Sequence, residues 1–196
     1  MSRERGIKRY EPMGYLLVMS TMAMSGTMVF VLYKFARNVI NKTITAPVID
    51  ESQWAGAGVL ILGVMLMVLA QHFFRKQKLD SFRAVFGISF FVLLFFLVLQ
   101  TANILFSKAK ATASPEELGR YYFSFITGLY MLFLLVGLVG HAVILGRIYR
   151  RISYVESFIF SVNPPNILNL KLLIRYMIFI TVLWLSIIIF VKSYAA

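Results

Sequence analysis

Five long apolar runs, separated by short polar stretches, make up most of the chain. They cover about 12–33, 54–74, 84–107, 121–146 and 172–191. Each is close to the roughly 20 helical residues needed to cross the hydrocarbon core of a bilayer. No Asp, Glu or Lys lies deep within any run, and Arg175 stands near the start of the last, where its long side chain can snorkel to the interface. The pattern predicts an all-α integral membrane bundle of five transmembrane helices, forming one transmembrane domain over residues 1–196. Local signals mark some boundaries. Ser114-Pro115-Glu116-Glu117 reads as a capping box, with Ser at the N-cap, Pro at the first helical position and Glu at the third. Pro164-Pro165 is expected to interrupt the fourth loop and delay the fifth helix. Between Arg151 and Asn163, Ile152, Val155, Phe158 and Ile159 recur at helical spacing, which fits either an interfacial helix or an ordinary loop. No internal repeat of the inverted-repeat transporter kind is visible.

Composition strengthens the membrane reading. Of 196 residues, 60% are hydrophobic and 14% charged, against about 45–50% apolar in a soluble domain. That leaves too little polar surface to face water. The net charge of +12 would suggest nucleic acid in a soluble protein. Here the basic residues sit at the ends of apolar runs, which points to lipid headgroups and not to nucleic acid.

The charges also predict an orientation. The N-terminus carries Arg3, Arg5, Lys8 and Arg9, the second loop Arg75, Lys76, Lys78 and Arg83, and the fourth Arg147, Arg150, Arg151, Lys171 and Arg175. These are thirteen of the twenty basic residues, and the remaining seven are offset by Asp50, Glu51, Glu116 and Glu117. The positive-inside rule then places the N-terminus in the cytoplasm and the C-terminus in the periplasm.

Candidate chemistry is sparse. With no cysteine, disulfides, thiolate chemistry and Cys-ligated metals are excluded, and two histidines cannot form a three-histidine site. His72 and His141 lie at the inner ends of spans two and four, at depths that agree within roughly 5 Å. One reading is that both ligate a single haem, presented from two helices, with interfacial placement as the plainer alternative. Gln100 and Asn103 sit one turn apart near the outer end of span three, placed to hydrogen-bond a neighbouring helix or a substrate. Gly14, Thr21 and Ser25 share a face of span one, and Gly128, Gly137 and Gly140 lie in span four. Small residues of this kind are expected to let helices pack closely. General-base catalysis would need a placed carboxylate, His or Lys, and a proton relay would need an acid at depth. The Asn41-Lys42-Thr43 sequon carries no expectation of its own.

The order of these pieces resembles subunit III of the haem–copper oxidases, in the five-span bacterial form that lacks the first two helices of the seven-helix version. The resemblance covers nearly the whole chain. Tyr10-Glu11-Pro12 followed by GYLLVMSTMAMSGTMVFVLY looks like the family helix that opens with His-Pro. FFRKQKLDSFRAVFGISFFVLLFFLVLQ is similar to the family's basic turn and the helix ending in Phe-Leu-x-x-Gln, with Gln100 on the glutamine. YYFSFITGLYMLFLLVGL resembles the Tyr-Phe-x-x-Thr-Gly-Leu-His segment through Thr127, Gly128 and Leu129. YMIFITVLW falls on the final helix, with Tyr176, Phe179 and Trp184 at matching positions. The chain departs at five polar positions. Thr21 stands where the family has a buried glutamate, Tyr130 and Phe133 where it has histidines, and Ile178 and Thr181 at the His and Asp of its Trp-His-x-x-Asp. In the family those groups are associated with lipid headgroups, the oxygen path and proton uptake, and the residues here do not carry that chemistry.

The resemblance implies a non-catalytic accessory subunit of a respiratory haem–copper terminal oxidase in the bacterial inner membrane. It would pack against catalytic subunit I and other oxidase subunits, hold phospholipid, and in some settings join a larger respiratory supercomplex. Haem and copper are expected in the partner and no cofactor in this chain. The alternatives are a partner of nitric oxide reductase, a di-histidine haem b protein and a small transporter.

Overall fold

The computed structural model describes residues 11–47, 49–107, 114–150 and 163–195. Five helices follow in order: α1 (Glu11–Ile40), α2 (Glu51–Arg75), α3 (Leu79–Ser107), α4 (Pro115–Tyr149) and α5 (Pro164–Ala195). All five are long and apolar enough to cross a membrane. The shortest, α2, has 25 residues and spans about 38 Å at about 1.5 Å per residue. The chain is therefore a multi-pass membrane protein, and its described residues form an all-α bundle of five helices.

The helices overrun the apolar runs that mark them. α1 continues past Tyr33 to Ile40, and α4 begins at Pro115, six residues before its apolar stretch. Ser114 caps α4 as the sequence predicts, its hydroxyl accepting from the Glu117 amide at 3.3 Å. The expectation for Pro164-Pro165 needs correction: α5 starts at Pro164 and not after the pair. The first turn of a helix leaves N–H groups unbonded, so proline costs nothing there. The carbonyl of Asn163 accepts from the amides of Asn166 and Ile167, at 3.1 and 3.3 Å. The segment 151–162, with its helix-spaced apolar residues, lies outside the described residues.

Two helices stop by the same device. Lys42 (φ 56°) and Gln77 (φ 57°) adopt the left-handed conformation after α1 and α2. Thr43 N–H then reaches Asn38 O at 3.0 Å, and Lys78 N–H reaches Phe73 O at 3.0 Å. These are Schellman closures, which satisfy the last carbonyls of each helix. The α2–α3 link is thereby kept to a tight turn, and the two helices form a hairpin.

α5 is the hub. It packs against α1, α2 and α4, while α3 bridges α2 and α4, and α4 touches α1. Within the spanning stretches 50% of α5 is buried but only 22% of α1. The core holds Phe82, Phe86, Leu93 and Phe96 from α3, Leu134 from α4 and Ile180, Trp184 and Ile187 from α5. The outer surface is also apolar, with Met19, Met22 and Phe30 on α1, Met65 on α2, Phe91 on α3 and Leu132 on α4 all exposed. In lipid such a surface carries no penalty, because hydrocarbon tails are as apolar as the side chains.

The two ends of the bundle differ in charge. Among the described residues, the end holding the α2–α3 turn carries eight basic residues (Arg75, Lys76, Lys78, Arg83, Arg147, Arg150, Lys171 and Arg175) against Glu11 and Asp80. The opposite end carries five (Lys34, Arg37, Lys42, Arg120 and Lys192) against Asp50, Glu51, Glu116 and Glu117.

Candidate functional site

One cluster of polar groups lies at the less basic end. There the loop after α1 docks onto the start of α4, with Thr45 N–H donating to Pro115 O at 3.1 Å. The carbonyl of Thr45 lies against Gly119, so close that a Cβ at 119 would overlap it. Glycine is required here because one backbone runs across another.

Behind this contact lies a cavity of about 430 Å³. Pro47, Asp50, Ser52 and Gln53 contribute from the α1–α2 loop and the start of α2. Asn103 and Ile104 come from α3, and Arg120, Phe123, Ser124 and Thr127 from α4. Asp50 and Arg120 are exposed and Thr127 is buried, so the cavity runs from the surface into the bundle. The Thr127 hydroxyl donates to Phe123 O at 2.9 Å within its own helix. The side-chain oxygen of Gln53 is buried without a hydrogen-bond partner.

One turn below Asn103 and Ile104 is Gln100, fully buried, with neither carboxamide atom bonded. Gly56 makes room for it: Gln100 Nε2 stands 2.6 Å from where a Cβ at 56 would be. One turn deeper again, the Tyr130 and Trp184 rings lie 4.6 Å apart, with Phe96 at 6.4 and 6.1 Å from them. Tyr130 OH and Trp184 Nε1 also lack partners. Below that the interior turns apolar at Leu93 and Leu134. Leu93 packs onto Gly63, with Cδ2 2.7 Å from a Cβ position there. This column of polar groups thus ends partway through the bundle.

The histidines sit apart in character. His72 is exposed on α2, its ring contact being with neighbouring Phe73. His141 is fully buried, with Nε2 3.0 Å from the Phe86 carbonyl and its ring 4.0 Å from that of Phe86 and 5.3 Å from that of Phe90. Its Nε2 donates to the carbonyl and is committed to helix α3. Among the described residues, no group of three His, Cys, Asp or Glu side chains could hold a metal ion.

The predicted packing residues divide. At Gly137 a Cβ would stand 2.5 Å from Met177 Sδ and 3.0 Å from Tyr176 Cε1, so α4 and α5 meet closely there. Gly140 is buried on the same helix, and Gly14 faces Leu172 Cδ1 at 3.3 Å. Gly128 differs from expectation: it is half-buried, and a Cβ there would meet nothing within 4 Å. Thr21 and Ser25 are half-buried and donate to Leu17 O and Thr21 O of their own helix, both at 2.8 Å. The hydroxyl that does cross between helices is that of Ser20, 2.8 Å from Tyr176 OH. Of the residues matching the oxidase pattern, Gln100, Thr127, Tyr176 and Trp184 are buried, and Leu129 and Phe179 pack partly buried against the core.

Fold and site together define a multi-pass membrane bundle with a polar cavity at one end and, among the described residues, no buried acid, lysine or arginine. Compared with protein-family models, with curated proteins and with solved structures, the chain matches none of them.

Proposed function

We propose that this chain is a subunit III-like, non-catalytic accessory subunit of a bacterial respiratory haem–copper terminal oxidase. It resides in the inner membrane, N-terminus in the cytoplasm and C-terminus in the periplasm, packs against the catalytic subunit and holds phospholipid. The partner carries the haem and copper. One observation carries the non-catalytic part. The buried polar side chains among the described residues are Ser89, Gln100, Thr127, His141, Asn166, Asn169 and Thr181, with no acid, lysine or arginine among them. Acid–base work or proton relay at depth needs a placed carboxylate, Lys or His, and His141, the one such group in that set, is bonded through Nε2 to the Phe86 carbonyl. The link to an oxidase rests on the sequence resemblance, and the burial of Gln100, Thr127, Tyr176 and Trp184 gives those shared residues a common role in holding the bundle. The charge difference between the two ends supports the orientation. Such a subunit acts by binding the working state of its partner and so stabilising it.

The test is to tag the chain, extract the membrane in mild detergent and identify what stays bound. A haem–copper catalytic subunit in stoichiometric amount supports the reading. Recovery of the chain without any such subunit overturns it.

A further inference from the structure

The polar cavity at the less basic end has the charges and the position of a solute site. We propose that it binds a free α-amino acid with an uncharged side chain, with Arg120 on the carboxylate and Asp50 on the ammonium group. This goes beyond the accessory role and does not rest on it.

Position comes first. Asp50 and Arg120 stand just before the apolar runs that begin at about 54 and 121, and both are exposed. The mouth of the cavity therefore lies on the aqueous side of the hydrocarbon, where a dissolved guest enters. From there the lining reaches Thr127, seven residues further along α4, or about 10 Å at about 1.5 Å per residue. The volume of about 430 Å³ falls in the range of small-molecule sites.

Charge comes next. Asp50 is the N-cap residue of α2, but its carboxylate makes no capping hydrogen bond. Arg120 lines the same cavity from α4, and among the described residues neither takes part in an ion pair. A carboxylate and a guanidinium left unpaired in one cavity disfavour a guest of single sign. Asp50 repels an anion and Arg120 a cation, whereas a guest carrying both signs satisfies both. The guanidinium fork suits a carboxylate, which it holds by two parallel N–H···O bonds. The other lining residues are uncharged, so an extra charge on the guest would find no partner. Ile104 and Phe123 give an aliphatic side chain an apolar wall.

The experiment uses the full chain, purified in detergent without any oxidase subunit and stripped of lipid, and measures binding by titration calorimetry. Leucine is the probe. Leucinamide lacks its carboxylate, N-acetylleucine lacks its ammonium group, and glycerophosphoethanolamine carries both signs in the form of a lipid headgroup. Leucine binds saturably, and each of the other three binds at least about tenfold more weakly. Arg120→Gln and Asp50→Asn, both at exposed positions, each weaken leucine by about tenfold or more and leave the ligand-free thermal midpoint unchanged. Each also erases one discrimination. Arg120→Gln binds leucine no better than leucinamide, and Asp50→Asn binds it no better than N-acetylleucine, whereas a merely structural role would weaken all ligands together. Absence of saturable leucine binding, a blocked analogue or the free headgroup binding as tightly as leucine, or native affinity in both variants overturns the proposal. Because no partner is present, the outcome is separate from the copurification, and either reading can fail while the other stands.

Discussion

Tyr176 donates its phenolic hydrogen to the main-chain carbonyl of Phe133, 2.8 Å away across the α4–α5 contact. The same hydroxyl lies 2.8 Å from Ser20 Oγ, so one side chain links α1, α4 and α5. Hydrogen bonds between helices in a bilayer are worth about 0.6 kcal/mol on average and up to about 1.7. Tyr176→Phe keeps the ring and removes both bonds. It is expected to cost about 1 kcal/mol, read as reduced resistance to denaturing detergent. Ser20→Ala removes one bond and should cost less. Equal stability of Tyr176→Phe and the native chain would show that the link contributes nothing.

Glycine substitutions should separate sharply. A Cβ at 119 runs into the Thr45 carbonyl, and Leu at 137 must displace Met177 and Tyr176. Overpacking of this kind costs about 1–3 kcal/mol. Gly128→Ala meets open space and should be neutral, or stabilise by about 0.5–1 kcal/mol through loss of unfolded-chain freedom. Thermal midpoints of the three variants in detergent check the order. Gly119→Ala and Gly137→Leu fail as folding variants before they fail as interface variants, so neither is a clean probe of partner binding.

Those glycines show where sequence reading stops. The five spans were legible because each apolar run has the length of a bilayer. The cap of α4 was legible because Ser114-Pro115 is local chemistry. Which small residues meet another helix was not. In water an apolar stripe identifies the buried face, but here the lipid-facing side is as apolar as the core, as Met19 and Phe91 show. Gly128 and Gly137 look alike in sequence and differ only in what stands opposite. Gly56, Gly63 and Gly119 were missed for the same reason. The cavity was half legible. Asn103 stood out as a polar residue in an apolar run and Thr127 through the family resemblance, whereas Asp50 read as a loop charge and Gln53 and Arg120 carried no signal until the fold brought them together.

Topology gives a third expectation. The chain has no cysteine, so single-cysteine variants can be labelled from one side at a time. Ser81 and Ser193 are exposed at opposite ends of the bundle. Ser193→Cys should react with an impermeant thiol reagent applied to the periplasmic face, and Ser81→Cys only after the inner membrane is breached. The opposite pattern would invert the orientation drawn from the basic residues.

His141 and His72 should behave as unlike residues. His141→Leu removes the bond to Phe86 O and leaves a packed aromatic pocket misfilled, at an expected cost of about 1–3 kcal/mol. His72→Leu, on the exposed side of α2, should stay within about 0.5 kcal/mol of native. Unfolding in detergent measures both, and matched losses would point to a shared structure holding the two.

The most direct measurement is the visible spectrum of the assembly before and after this chain is dissociated from it. All haem absorbance should remain with the large partner, and the separated chain should be colourless. A Soret band that travels with this chain in stoichiometric amount would contradict the account, because the polypeptide would then carry redox chemistry of its own.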